Sequence, residues 1–419
     1  MLKSTMIQQP LSLSGKKIPQ LRINHNSRKA LLETNLTGKV TRRHLRTFLL
    51  SCVQIGASDI TLQTDQQPRI LLDGTLYLVA TRCWTPTDIQ IVLEELYRSA
   101  NAQAEISGRK ILDFAYEIKP DTGPKQRFRV NAVGVRGWDD TGVEISIRIL
   151  PNYTPGPECV GLTPEEIDLL TPADGLAIVA GSTGSGKSST LAAMVRYHLE
   201  ETNLPRKIVI IDSPIEFTYR DIPARESGSP TIIGQSEVGY HIPSFAEGVR
   251  SALRRNPDII IIGEARDKIT VSATVEASLT GHLVYTTTHA YSVANTIQRL
   301  LSVFSGNNET HKAVDILTSL RVIMVQKLIP VPHGKQKLVA LREYLEFTPN
   351  LREKMLTLEP QEWPGLVNRL ISDPTTLGIE PYPRSQSFQL GLGKLQNQEG
   401  YCSIMNNEVV NQTRNWEGL

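Results

Sequence analysis

Eight consecutive residues, Gly181-Ser182-Thr183-Gly184-Ser185-Gly186-Lys187-Ser188, meet the spacing G-x-x-x-x-G-K-[ST], which is suited to holding a polyphosphate. Glycines keep Cβ atoms out of the way, so backbone N–H groups can close on phosphate oxygens. Lys187 would then reach the β and γ phosphates, the Ser188 hydroxyl would ligate Mg²⁺, and Ser189 would add the next contact. Four further residues are candidates to complete such a site: Asp212 and Glu216 after one apolar run, Glu264 after another, His289 after a third. A carboxylate near phosphate can hold the water shell of Mg²⁺ or take a proton from an attacking water. A histidine there can sense the γ-phosphate, although a single histidine near a strand end is more often structural.

These residues need a frame. Leu176 to Ala180 has the apolar run of a buried strand, and Ser189 to Glu200 carries Leu191, Met194, Val195 and Leu199 at helical spacing. Strand, glycine loop and helix together aim N–H groups and the positive helix end at one point. Lys207 to Ile211 is a second buried run, ended by Asp212-Ser213-Pro214-Ile215-Glu216, and Ser244 to Arg255 reads as a helix with Phe245, Val249 and Ala252 inward. Ile259 to Ile262 is the most β-prone run of the chain. Gly263-Glu264 closes it, a Walker B pattern with Gly263 where an Asp is usual. With Leu283 to Thr287, these runs predict at least four buried strands with helices between them, an α/β fold around a doubly wound parallel sheet. Acids at the C-terminal ends of such strands face the ligand crevice. Helical spacing continues from Ala313 to Val325 and from Leu351 to Leu358.

The N-terminal third reads differently. Leu45, Phe48, Leu49, Cys52 and Val53 mark an amphipathic helix ending at Gly56. Asp59 to Leu62 and Arg69 to Leu78 read as strands, the second folded at a turn on Asp73-Gly74. Thr85-Pro86-Thr87-Asp88 starts a helix. Lys110–Lys119, Arg127–Val135 and Val143–Leu150 predict three antiparallel strands, completing a small α+β domain. Arg127, Arg129 and Arg148 lie in these strands, either in ordinary salt bridges or reaching a phosphate bound by a neighbouring domain or subunit. The expected organisation is a basic arm over 1–39, an N-terminal domain over 40–150 and a proline-bearing linker over 151–160. A motor domain over 161–373 and a loosely ordered tail over 374–419, rich in Gln and Asn, follow.

At 419 residues the chain is too long for one core, and 40% hydrophobic with 21% charged residues is ordinary for a soluble globular protein. No apolar run approaches the ~20 residues that cross a bilayer, and Lys16, Lys17, Arg22, Arg28 and Lys29 break up any signal-peptide core. Cys52, Cys83, Cys159 and Cys402 form no C-x-x-C pair, so neither a zinc site nor a disulfide framework is expected. A reducing cytoplasm is the simplest compartment. The net charge of +2 hides an asymmetry: residues 1–46 carry +9, leaving −7 on the rest. A basic arm on an acidic body suits anionic lipid, nucleic acid or an acidic partner, or is a solvated leader. The acidic body argues against direct nucleic-acid binding by the motor.

Residues from about 55 to 355 resemble the secretion ATPases of the type II/type IV superfamily, the PilT-like family. Gly56-Ala-Ser-Asp-Ile60 is similar to the family's first strand, and Arg127-Phe-Arg-Val-Asn131 and Arg148-Ile-Leu-Pro151 to its arginine-bearing strands. Asp212-Ser-Pro-Ile-Glu216 resembles its Asp box, Gly263-Glu-Ala-Arg-Asp267 its atypical Walker B, and Thr280-Gly-His-Leu-Val284 through Thr288-His289 its His box. Gln326-Lys-Leu-Ile-Pro330 and Leu345-Glu-Phe-Thr-Pro349 also fit. The resemblance implies a PAS-like N-terminal domain followed by a RecA-like P-loop NTPase domain, with ATP and Mg²⁺ as ligands and nucleotide between the two. It further implies a homo-hexamer in the cytoplasm, peripheral to the inner membrane and partnered by membrane-embedded secretion or conjugation channel proteins. In it Glu216 is the general base, Glu264 the Walker B acid with Asp212 and Ser188 at the metal, and His289 the sensor. Arg127, Arg129 and Arg148 neutralise phosphate, across the subunit interface or within it.

The chain departs from the family pattern at Thr61, Ser213 and Arg255-Asn256, and lacks a tetracysteine insert. Its layout looks like the DotB/TraJ-type ATPases of type IVB secretion and plasmid transfer. A pilus retraction motor and a RecA-like DNA translocase are the alternatives. The absence of an Asn/Thr-Lys-x-Asp motif argues against a GTPase switch.

Overall fold

The computed structural model describes residues 40–72, 75–79, 82–120, 125–137, 141–200, 205–219, 222, 230–304, 309–330, 338–373, 375, 383–388 and 390. The basic arm, the Asp73-Gly74 turn and most of the tail therefore lie outside the described residues. The chain divides into two compact units, with the boundary between Asn152 and Tyr153.

The first unit opens with α1 (Arg42–Gln54), capped by Thr41 and burying Leu45, Phe48, Leu49 and Cys52. Its strands β1 (Asp59–Gln63), β2 (Arg69–Leu72) and β3 (Thr75–Leu78) precede α2 (Pro86–Tyr97) and α3 (Ala102–Ser107). Strands β4 (Leu112–Ile118), β5 (Gln126–Val135) and β6 (Gly142–Ile149) complete a six-stranded sheet in the order β3-β2-β1-β6-β5-β4, antiparallel throughout. The expected α+β pattern is present. In α2, Thr85 and Asp88 form a capping box with Pro86 in the first turn. Asp88 also accepts the Val40 amide at 3.0 Å and Arg82 at 2.7 Å, which ties the start of the described chain to α2.

The second unit begins earlier than the expected linker allows. Thr154 donates to the Thr218 carbonyl at 2.9 Å and accepts Arg196 at 2.8 Å, and Pro157–Val160 form a 3₁₀ turn. Helix α4 (Pro164–Leu170), β7 (Gly175–Ala180), α5 (Lys187–Glu200), β8 (Lys207–Asp212) and β9 (Ile232–Glu237) follow. Next come α6 (Phe245–Leu253), β10 (Ile259–Ile262), α7 (Lys268–Leu279), β11 (Leu283–Thr288), α8 (Val293–Ser302) and α9 (Glu309–Ser319). Strands β12 (Leu320–Pro330) and β13 (Leu338–Glu346), α10 (Pro349–Leu356), α11 (Trp363–Ser372) and β14 (Ser385–Gln386) end the described chain.

The eight strands run in the order β14-β13-β12-β7-β11-β10-β8-β9. Six are mutually parallel, and β13 and β14 are antiparallel to their neighbours. Alternate residues of β7 enter different cores: Leu176, Ile178 and Ala180 one, Ala177 and Val179 the other. Burial on both faces explains why β7 and β10 are unbroken apolar runs.

One expectation fails. The helical pattern over Ala313–Val325 stops at Ser319, and Leu320–Val325 are strand β12 between β7 and β13. Short apolar runs fit either period, and a vacant central position in the sheet decides between them. Within the stretch expected as a tail from 374, Ser385–Gln386 form β14, paired with β13.

One buried group makes the second unit sensitive to acid. Tyr285 spends its single proton on the Leu170 carbonyl at 2.6 Å, so it accepts from His198 Nε2 at 2.8 Å. Burial, reinforced by Arg206, holds the His198 pKa down from 6.5 to about 4. Between those values the unfolded chain binds a proton that the folded chain refuses. Stability is full above pH 6.5 and is lost as pH falls towards 4, by about 3 kcal/mol in all. Urea unfolding of wild type and His198→Gln across this range should show that extra acid loss only in wild type. Parallel curves would refute it. Among the described residues, no helix is long and apolar enough to cross a membrane.

Candidate nucleotide site

The glycine loop lies between the C-terminal end of β7 and the start of α5, and its backbone takes conformations that side chains resist. Gly184 and Gly186 have φ of 78° and 86°. Gly184 has open space where a Cβ would lie, whereas at Gly186 a Cβ would sit 2.7 Å from Gln326 Nε2. The first-turn amides of α5 have no intrahelical partners and point out of the helix start, with the positive end of the helix behind them. Inside the loop the Ser185 hydroxyl is buried with no hydrogen-bond partner. Lys187, 8% exposed, donates to the carbonyls of Gly181 and Ser182, both at 2.8 Å. An ammonium has three protons, so one remains for a ligand. Burial pushes the Lys187 pKa down, and Glu264 and then Glu216 push it back up. Both acids are thus within electrostatic reach of the loop lysine.

Asp212 ends β8, and Glu216 follows in an extended, half-buried stretch that holds a cis Ser213–Pro214 peptide. The Asp212 carboxylate accepts the Ser213 amide at 2.9 Å and occupies the space a Cβ on Gly263 would need. Ser188, Asp212, Gly263, Thr287 and Gln235 line a cavity of about 40 Å³, room for a water or two. Glu264 is ion-paired with Arg266 at 2.5 Å and touches His289 Nε2 at 3.5 Å. Burial, Lys187 and nearby arginines hold the His289 pKa down, against the pull of Glu264. That shift favours the neutral imidazole beside Glu264. Asp267, next in this box, caps α7 by accepting the Ile269 and Thr270 amides at 3.0 and 2.9 Å.

Among the described residues, no group of three or more His, Cys, Asp or Glu side chains is arranged to hold a metal ion. Mg²⁺ keeps several waters and relies on one or two carboxylates plus the substrate's phosphates. Ser188, Asp212 and Glu264 supply the hydroxyl and carboxylates such an ion uses.

The sequence reading missed the residues that hold the loop. Gln326 of β12, 2% exposed, donates Nε2 to the Ser185 carbonyl at 2.6 Å. Its Oε1 accepts Thr190 of α5 at 2.8 Å and Arg342 of β13 at 3.1 Å. Arg342 also donates to the carbonyls of Gly161 and Val160 at 2.7 and 2.6 Å and to Glu166 at 3.4 Å. The available signal was a lone amide in an otherwise apolar strand, Val322-Ile-Met-Val-Gln326.

The three arginines belong to the first unit and share one sheet face. Arg129 lies opposite Arg148 in register, and Arg127 two residues along β5. Arg129 pairs with Asp113 and Arg148 with Asp59, each at 2.9 Å.

A parallel sheet with a glycine loop after one strand, a lysine buried in that loop and acids at the tips of neighbouring strands defines a P-loop nucleotide-binding protein. The chain matches the family described as "Type II/IV secretion system protein" over residues 102–356, more than half its length, and belongs to that family. The Legionella pneumophila ATPase DotB is similar in structure, with a TM-score of 0.74 and 32% identity over 91% of this chain and 97% of DotB. The pilus retraction motor PilT with bound ADP gives a TM-score of 0.68 and 26% identity over 88% of this chain and 96% of PilT. The type IV pilus retraction ATPase PilT of Pseudomonas aeruginosa is 33% identical over 299 residues, 71% of this chain and 80% of PilT. The chain is thus a member of a family of secretion and pilus ATPases.

The two loop glycines separate backbone strain from side-chain collision. Gly184→Ala should cost about 1 kcal/mol from its positive φ alone. Gly186→Ala adds displacement of the Gln326 amide and should cost about 3 kcal/mol by chemical denaturation. Equal losses would show that the Gln326 contact contributes nothing at Gly186.

Proposed function

We propose that this chain is the ATPase motor of a type IV secretion or conjugative plasmid transfer apparatus, working as a homo-hexamer. The observation that carries the proposal is the phosphate loop between β7 and α5, with the buried Lys187 folded onto the Gly181 and Ser182 carbonyls, in a chain whose likeness to DotB extends over nearly all of both proteins. In this reading Gly181 to Ser189 cradle the phosphates of ATP. Lys187 turns one donor from the loop carbonyls to the β and γ oxygens. Glu216 takes the proton of the attacking water, an effect worth ~10²–10⁴ in rate. His289, neutral and beside Glu264, reports the γ-phosphate. A Mg²⁺ ion held by Ser188 with Asp212 and Glu264 through water would offset the phosphates' negative charge. Arg127, Arg129 and Arg148 serve as phosphate-neutralising groups of the first unit, which is PAS-like in this reading. A trans arginine of this kind supplies ~10³–10⁵ in rate.

The motor acts in the cytoplasm at the inner membrane, against channel proteins, with the basic arm suited to anionic lipid. The likeness to PilT favours a second reading, a pilus motor. Proteins that co-purify from the native host separate the two: a relaxase and channel components for the first, pilins for the second.

Glu216→Gln should bind ATP with near wild-type affinity and hydrolyse it ~10²–10⁴-fold more slowly. Lys187→Ala should lose ATP binding itself. Phosphate release and equilibrium binding on the purified variants check both, and near-normal hydrolysis by Glu216→Gln would remove it as the base.

A further inference from the structure

The short strand β14 lies beyond the family match, which ends at residue 356, and yet it is wired to the phosphate loop. It pairs with β13, Gln386 opposite Tyr344 and Ser385 opposite Leu345. Arg384 grips both carboxylate oxygens of Glu346 on β13, at 2.9 and 3.2 Å, and Asp168 of α4 at 2.6 Å. Its carbonyl accepts the Glu346 amide at 2.8 Å. On the far side of the strand the Lys327 ammonium lies 4.0 Å from the ring centre of Phe388. Between these anchors Gln386, 7% exposed, donates Nε2 to the Arg342 carbonyl at 3.0 Å.

Arg342 is the residue whose guanidinium holds Gln326, and Gln326 holds the Ser185 carbonyl. Gln386, Arg342 and Gln326 therefore link the end of the described chain to the loop backbone. Gln386 also walls a cavity of about 790 Å³ lined by Gly186, Ser189, Gln326 and Arg342. Without β14, β13 becomes a sheet edge with unpaired backbone groups over Tyr344–Glu346. Arg342, two residues away, would lose the Gln386 donor to its carbonyl. Gln326 has no slack to absorb such a shift, because both ends of its amide are engaged.

We infer that β14 is a strap that sets the nucleotide affinity of the phosphate loop, with Gln386, Arg342 and Gln326 as positioning residues. The inference rests on the ATPase reading above. A partner that competes for Arg384 would loosen the strap and weaken nucleotide binding without touching the site.

The test measures ATP affinity in Mg²⁺ buffer, and KM and kcat, on the full chain and on Arg384→Ala, Arg384→Lys, Gln386→Ala and Asp168→Asn. Arg384→Ala and Gln386→Ala should raise Kd and KM about tenfold, as expected for one lost buried hydrogen bond, with kcat within about twofold. Arg384→Lys should recover most of the affinity by keeping a cation between Glu346 and Asp168. Asp168→Asn, at an exposed side chain with little bearing on folding, should give about threefold. Unchanged affinity in variants that unfold at the wild-type temperature, or a fall in kcat with KM unchanged, would overturn the strap. A wild-type chain that binds no ATP would remove the ATPase reading itself.

Discussion

A phosphate loop works by presenting bare backbone, and for that reason it has few side chains with which to hold its own shape. Here the constraint is met from outside, by one buried amide. Gln326 ties the Ser185 carbonyl to β12 and the first turns of α5 to the same strand through Thr190. Leaving a buried amide unpaired costs about 1–3 kcal/mol per group, so the loop cannot move without uncovering donors and acceptors in a dry interior. Gly186 takes part in the same constraint. Its missing Cβ gives the chain a positive φ and leaves the space that the Gln326 amide fills.

The acids show a similar division of work between strands. A Walker B strand usually brings its own carboxylate at the position of Gly263. In this fold β8 and β10 are parallel neighbours, with Ile211 beside Ile262, so the next residues, Asp212 and Gly263, lie side by side. The Asp212 carboxylate projects into the space above Gly263. The neighbouring strand thus supplies the carboxylate over Gly263, while Glu264 faces Arg266 and His289. Two carboxylates on the same small volume would repel each other, and the glycine avoids that.

Much of this was legible in the sequence, for a physical reason. Strands β7, β8, β10 and β11 are covered on both faces, so every residue is selected for apolarity, and the acids that end them stand out by contrast. Strand β12 has the same composition and follows a real helix, so it read as a continuation of α9. Strand β9, Ile-Ile-Gly-Gln-Ser-Glu, sits at the edge of the sheet with mostly half-exposed residues and gives no strong pattern. Gln326 and Arg342 were not legible as a pair. Their meaning lies in contacts to Ser185 and Gly161, well over a hundred residues away, and no spacing rule connects such positions. Strand β14 is two residues in a polar stretch, and pairing with β13 makes it a strand where composition alone does not.

The arginine face of the first unit shows how weakly an exposed salt bridge commits a guanidinium to one partner. Arg129 and Arg148 each have an acidic partner, with side chains about a third to a half exposed. Exposed pairs of this kind contribute about 0–1 kcal/mol, because water already solvates both ions and ordering two long side chains opposes the attraction. A polyphosphate presents several charges and offers bidentate acceptors to a planar guanidinium. The local acids are therefore weak competitors against a stronger anion. The pairing of Arg129 with Asp113 and of Arg148 with Asp59 is thus compatible with the phosphate contact proposed above.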